Sequence, residues 1–265
     1  GRDRLARALM DAALLATSAL RVNAGGRVLL DDFNFRLAPG EFVAVLGRNG
    51  SGKSLTLHTL AGLRPAAAGR VLLTGREIQE LGRGEVARHL AFLPQDREEA
   101  LPLSVFEAAL LGRHPHIGWL RGESAHDLRV VGAALARLGV DDCAERSLAT
   151  LSGGEQRRAA MAGLLAQEPR VYLLDEPTNH LDPHHQVDVL LAFRERCADG
   201  ASVIATLHDP ALAERCADRV LLMYGDGRWR LGPAAEVLSA AELSELYATP
   251  MNELRGGGRR AFIPA

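Results

Sequence analysis

Two textures of hydrophobic pattern divide the chain. Short runs, apolar or alternating, occupy Val28–Leu30, Phe33–Leu37, Phe42–Leu46 and Val71–Leu73, and Gly25-Gly26, Pro39-Gly40 and Gly69 break them up. Short runs between turn formers predict strands, here an early antiparallel sheet leading into the strand at 42–46. From about 103 to 168 the spacing turns helical, as in Val105–Leu111 and Val130–Leu138, which predicts a helical insert. Beyond it, Val171–Leu174 and Ser202–Leu207 are apolar almost throughout, with a helix expected between them at about 184–198. Runs that are apolar on both faces belong to buried parallel strands, so the expected architecture is α/β with an N-terminal antiparallel β-subdomain and a helical insert.

Composition narrows what such a chain can do. Its 265 residues are 47% hydrophobic, enough for one large core or two modest ones. A net charge of -2 supplies no basic field, which speaks against nucleic acid as a partner. Cys143, Cys197 and Cys216 form no C-x-x-C pair, so neither a disulfide framework nor a zinc site is expected. No uncharged apolar window of about 18 residues exists to span a membrane. Arg2, Arg4 and Arg7 ahead of Leu9–Leu15 imitate a signal peptide, but Asp11 interrupts the apolar part. Met10 is the expected start, residues 1–17 an extension, and residues 251–265 a tail made flexible by Gly256-Gly257-Gly258. His180, His184 and His185 imitate a metal cluster at helical spacing, but they lie beside Asn179–Asp182 with no added thiol or carboxylate needing explanation, so no metal cluster is expected.

The chemistry concentrates in the run Gly47-Arg48-Asn49-Gly50-Ser51-Gly52-Lys53-Ser54-Leu55. Lys53 is the single lysine among 31 basic residues. A guanidinium is a planar fork, whereas a phosphate cradle needs a compact charge on a flexible stem. Strand before, helix after and G-x-x-x-x-G-K-S between make a phosphate-binding loop. Gly50 and Gly52 let backbone N–H groups turn inward, and the new helix offers its positive end. Lys53 then reaches the β- and γ-phosphates and Ser54 gives its hydroxyl to Mg²⁺.

A second site follows the apolar run 171–174, where Asp175-Glu176-Pro177 sits at the carboxyl end of a buried strand. Asp175 fits as the carboxylate that holds Mg²⁺ beside Ser54, and Glu176 as the base for an attacking water.

Between these motifs lies Leu151-Ser152-Gly153-Gly154-Glu155-Gln156, and with it residues 18–250 resemble the ATP-binding cassette ATPases. The resemblance implies a P-loop NTPase core of the RecA-like kind, with the helical subdomain at about 98–168. It makes Gln95 a catalytic and Mg²⁺-contacting glutamine, Asp182 the D-loop aspartate of Asn179-His180-Leu181-Asp182, and His208 the switch histidine. It also implies a head-to-tail dimer, in which Leu151 to Gln156 of one copy face the ATP of the other. Leu111-Gly112-Arg113-His114-Pro115-His116 and Leu181–Gln186 resemble the subfamily that powers import of iron-siderophores, haem and cobalamin. That implies an integral membrane permease docking on Gln95 and about 96–120, a periplasmic substrate-binding protein indirectly, and a peripheral place on the cytoplasmic face of the bacterial inner membrane. Exporter subunits and non-transport cassette ATPases are the rival readings. The family stacks adenine on an aromatic residue where this chain has Ala24, so Arg27 or Val22 is expected to substitute.

Overall fold

A computed structural model describes residues 13–95, 102–117 and 122–265. It opens with two long antiparallel strands, β1 (Leu15–Ala24) and β2 (Arg27–Leu37). Gly25 and Gly26 join them at φ 53° and 80°, the left-handed pair that a two-residue hairpin turn requires. Strand β3 (Phe42–Gly47) leaves this sheet, and helix α1 (Lys53–Leu60) follows it. Strands β4 (Ala68–Leu73) and β5 (Arg76–Glu77) return to complete a sheet of order β2-β1-β4-β5.

The second sheet carries the chemistry. After α2 (Arg83–His89), the strands β6 (Leu90–Leu93), β7 (Val171–Leu174), β8 (Ser202–Thr206) and β9 (Arg219–Met223) run parallel with β3. An antiparallel edge strand, β10 (Trp229–Pro233), closes the order β10-β9-β3-β8-β7-β6. Its apolar runs have a simple cause. Phe42, Ala44 and Leu46 face one core while Val43 and Val45 face another, so no position on β3 meets water. The second of these cores lies against the antiparallel sheet, where it includes Leu20, Phe33 and Phe35.

The first core continues into the insert, built from α3 (Val105–Leu110), α4 (Ala125–Arg137) and α5 (Gly153–Gln167). Ser104, Ser124 and Ser152 each open their helix with a reciprocal capping box to the acid three residues on. A charged clamp holds the insert together. Arg113 is 4% exposed, and its Nε donates to Asp127 Oδ1 at 2.8 Å. Its Nη1 donates to Ala166 O and Glu168 Oε2, both at 2.7 Å. Hydrogen bonds from Ser124, then from Arg113, hold the Asp127 carboxyl well below the usual carboxylate range. Beside the clamp, Gly112 passes so near α5 that a Cβ there would lie 2.1 Å from Gly163 O. His116 Nε2 adds a 2.7 Å bond to Gln167 O, so the segment from 111 to 116 is tied to the end of α5.

Helix α6 (Pro183–Ala198) links β7 to β8, α7 (Pro210–Cys216) leads to β9, and α8 (Ala234–Val237) and α9 (Ala240–Tyr247) follow β10. The last elements, β11 (Met251–Gly256) and β12 (Arg259–Pro264), form a hairpin.

Two expected boundaries are corrected. The proposed extension 1–17 ends inside β1, where Leu14, Leu15 and Ala16 are buried at 2%, 0% and 2% exposure. Alternation there is broken by a left-handed residue, Ala19 at φ 46°, whose N–H donates to Asn34 Oδ1. Met10 lies outside the described residues, as do 96–101 and 118–120 of the expected docking segment. The expected flexible tail is ordered as the terminal hairpin. Gly257 and Gly258, at φ 57° and 75°, are its turn, and Arg260 anchors it by donating to Leu238 O at 2.9 Å.

Candidate nucleotide site

The loop sits where β3 ends and α1 begins. Gly52, at φ 97°, makes the last turn before the helix, and a Cβ there would lie 2.8 Å from Leu29 Cδ1. Lys53 is 6% exposed, and its Nζ donates to Gly47 O at 2.9 Å and Arg48 O at 3.4 Å. Burial lowers its pKa, and the carboxylates of Glu176 and Asp175 pull it partly back up. Among the described residues its hydrogen-bond partners are two carbonyls and no carboxylate lies within ion-pair distance, a state suited to an incoming phosphate.

The carboxylate pair stands at the end of β7. Thr206, on neighbouring β8, donates its hydroxyl to Asp175 Oδ1 at 2.6 Å and accepts from Glu176 N at 2.8 Å. Asp175 is fully buried, and its Oδ2 has no partner among the described residues. Arg157 of α5 donates to Pro94 O at 2.7 Å, Asp175 O at 2.5 Å and Glu176 O at 3.0 Å. The helix that Ser152 caps is thereby pinned to the carboxylate pair.

Glu176 is the hub. Its Oε2 accepts from Gln95 Nε2 at 3.0 Å and from Asn179 Nδ2, and its Oε1 lies 2.6 Å from His208 Nε2. Gln95 in turn accepts from Ser54 Oγ at 3.3 Å. Glu176 adopts φ 49°, a left-handed conformation that a non-glycine residue holds only where its surroundings enforce it. The structure therefore brings Ser54, Gln95, Glu176 and His208 into one hydrogen-bonded chain. Gly50, Gly52, Lys53 and Ser54 line a cleft of about 370 Å³ together with Gln95 and Glu176.

Ser152, Gly153, Gly154 and Glu155 lie elsewhere. They line a second cleft of about 750 Å³ with His180, Leu181, Asp182 and His185. Ser152 is occupied there in capping α5, with its own N–H donating to Glu155 Oε2 at 2.7 Å. Gln156 Nε2 fastens Leu148 O at 2.9 Å and Leu151 O at 3.3 Å. Asp182 caps α6 by accepting from His185 N at 3.0 Å, and His185 Nδ1 lies 2.7 Å from its other oxygen. His184 pairs instead with Asp188 at 3.2 Å. The two clefts share no lining residue.

A family model described as ABC transporter matches residues 30–179. The hemin import ATP-binding protein HmuV of Streptomyces coelicolor is 42% identical over 90% of this chain and 84% of its own length. The petrobactin import ATP-binding protein FpuD of Bacillus anthracis is 34% identical over 93% and 95%. This chain belongs to the ABC transporter family. Among solved structures, a chain assigned to a metal-chelate type ABC transporter in an inward-facing conformation superposes with a TM-score of 0.81 at 27% identity, covering 96% of this chain and 98% of that one.

As an ABC transporter ATPase, the chain hydrolyses ATP in coupling to transport, and the residues present can be tested against the metal such hydrolysis uses. A buried Asp175 oxygen lacking a partner, the Ser54 hydroxyl and the Gln95 amide oxygen are hard oxygen donors, the set Mg²⁺ takes. They fit it. Thr206 and Arg157 escape a sequence reading as site residues of this ABC transporter ATPase, although a lone threonine inside the apolar run 202–207 is a visible signal for the first. Of the two expected substitutes at the base, Arg27 lines the cleft while Val22 does not. Val22 is 1% exposed and packed in the core beneath the sheet, because its place on β1 turns it inward.

Proposed function

We propose that the chain is the ATP-hydrolysing subunit of a bacterial importer of metal chelates, of the haem, iron-siderophore or cobalamin kind. The observation that supports this reading most directly is the hub at Glu176, which joins Gln95, Asn179 and His208 beside the phosphate loop. The direction of transport rests on the importer names of the relatives at 42% and 34% identity.

In the proposed cycle, N–H groups of Gly47 to Leu55 and the Lys53 ammonium hold the triphosphate. Ser54, Asp175 and Gln95 would hold Mg²⁺, which when bound offsets charge on the β- and γ-phosphate oxygens. Glu176 takes a proton from one water as its oxygen bonds to the γ-phosphorus. The bond from that phosphorus to the β-bridging oxygen breaks, and its electron pair stays on ADP. His208, whose Nε2 lies 2.6 Å from Glu176 Oε1 without nucleotide, would turn from that carboxylate to donate to the γ-phosphate oxygens.

The second cleft supports a head-to-tail pair. Ser152, Gly153 and Gly154 sit at the start of α5, where N–H groups and the helix dipole favour an anion. In one chain they line a different cleft from the loop, so the phosphate they receive would belong to a second copy. Asp182 lines the same cleft. Closure of the pair would move a separate permease at the cytoplasmic face of the cell membrane, docked near Gln95 and 102–117, with a periplasmic binding protein delivering the chelate.

Reconstitution with the neighbouring permease tests this. Chelate-loaded binding protein should raise ATP turnover and fill proteoliposomes with chelate. Turnover that ignores the chelate, or chelate moved the other way, would overturn the importer reading.

A further inference from the structure

Besides residues of the phosphate loop, the nucleotide cleft is lined by Ala24, Arg27 and Leu29 of the antiparallel sheet. A nucleoside whose phosphates rest on Gly50 to Ser54 has these sheet residues left to meet its base. None of the described side chains lining the cleft is aromatic. Ala24 offers a methyl group. Leu29 is 3% exposed and packed against Gly52, so it holds β2 over the loop rather than presenting a surface.

Arg27 is different. It is exposed at the start of β2, and its Nη2 donates to Gly225 O at 3.1 Å. Gly225 in turn packs on the phosphate loop, since a Cβ there would lie 3.0 Å from Ser51 Cα. Arg27 is therefore tethered one layer of backbone away from the loop, and it carries the only guanidinium among the described residues lining the cleft.

We propose that Arg27 is the platform for the base, its guanidinium stacked on the purine face, and that the site in consequence takes ATP and GTP alike. The proposal rests on the ATPase reading and deepens it. A guanidinium is planar, weakly hydrated and attracted to a π-face, and every purine has such a face. Contact through the face reads neither the amino group of adenine nor the carbonyl of guanine at the 6-position. Selectivity between the two bases needs a polar edge contact, and the sheet residues Ala24 and Leu29 supply none.

Equilibrium binding of ATP, GTP and base-less tripolyphosphate to the full chain tests the proposal, by calorimetry without turnover. For the wild type, ATP and GTP should bind within about threefold of each other and both more tightly than tripolyphosphate. Arg27→Ala should weaken ATP and GTP together by roughly two- to fivefold, the worth of an exposed cation–π contact, and leave tripolyphosphate unchanged. Arg27→Lys keeps the charge but not the plane and should lose affinity for both purines as well. Strict preference of the wild type for ATP, an Arg27→Ala chain that binds both purines as before, or full affinity in Arg27→Lys would overturn the proposal. So would an equal loss for tripolyphosphate, which would make Arg27 a phosphate ligand. A wild type that binds none of the three would instead strike the nucleotide site itself, so the two failures are distinguishable.

Discussion

The nucleotide corner and the Arg113 clamp both bury charge, and they do it in opposite ways. At the clamp, Arg113 meets two carboxylates and a carbonyl, and Asp127 is further bonded by Ser124. At the corner, Lys53 has carbonyls only, and Asp175 Oδ2 has no partner among the described residues. Burying a polar atom without a partner costs stability, and folds retain such atoms where a ligand completes them. The clamp's charges have their partners, whereas Lys53 and Asp175 keep places that a phosphate and a cation would fill.

The largest test of that contrast is Glu176→Gln. It should leave ATP binding intact and cut turnover at least about a hundredfold, the usual worth of a general base, as single-turnover assays would read. Near-normal turnover would remove Glu176 from the chemistry. The clamp should answer in stability and not in binding. Arg113→Ala removes a buried side chain with its bonds to Asp127, Ala166 O and Glu168 and should lower unfolding free energy by about 3 kcal/mol in urea melts, while Arg113→Ala that melts like the wild type would mean the clamp is idle.

Lys53→Arg keeps the charge that the other 30 basic positions use, yet should weaken ATP binding by about tenfold, the worth of one charge-assisted hydrogen bond. Equal affinity would reduce the single lysine to a quirk of composition. The same residue gives a pH signature. Burial sets its pKa below 10.5 in the free protein, so at alkaline pH part of the population is neutral. Bound phosphates favour the ammonium, so nucleotide binding should take up protons there and weaken as pH rises further. Calorimetry in buffers of different ionisation heat reads this uptake, and its absence would contradict a buried lysine on the phosphates. The smallest effect belongs to Arg137 and Glu195, a bidentate pair with both contacts at 2.6 Å between α4 and α6. Their side chains are 35% and 54% exposed, so Arg137→Ala should cost at most about 0.5 kcal/mol, since solvent screens such pairs.

The same contrast explains what a sequence reader can see. The loop from Gly47 to Ser54 is legible because every feature of it is local: strand, glycines, one lysine, helix. Asp175 and Glu176 are legible because the apolar strand before them makes two acids conspicuous. Thr206 and Arg157 are not, because their roles exist only once β8 lies beside β7 and α5 crosses the corner. The helical insert is legible from its 3.6-residue period, whereas its clamp depends on contacts 14, 53 and 55 residues apart. β1 hides because Ala19 breaks its alternation and the apolar stretch before it imitates a leader. The terminal hairpin hides for a related reason: three glycines read as a linker, and only pairing across Arg255 and Arg260 reveals two of them as a turn.

One consequence of the hub is a matter of counting. A carboxylate has about four lone-pair directions. Gln95, Asn179 and His208 take three of those on Glu176. Reckoned as a valence, one place is left, and one water is what each hydrolysed ATP consumes.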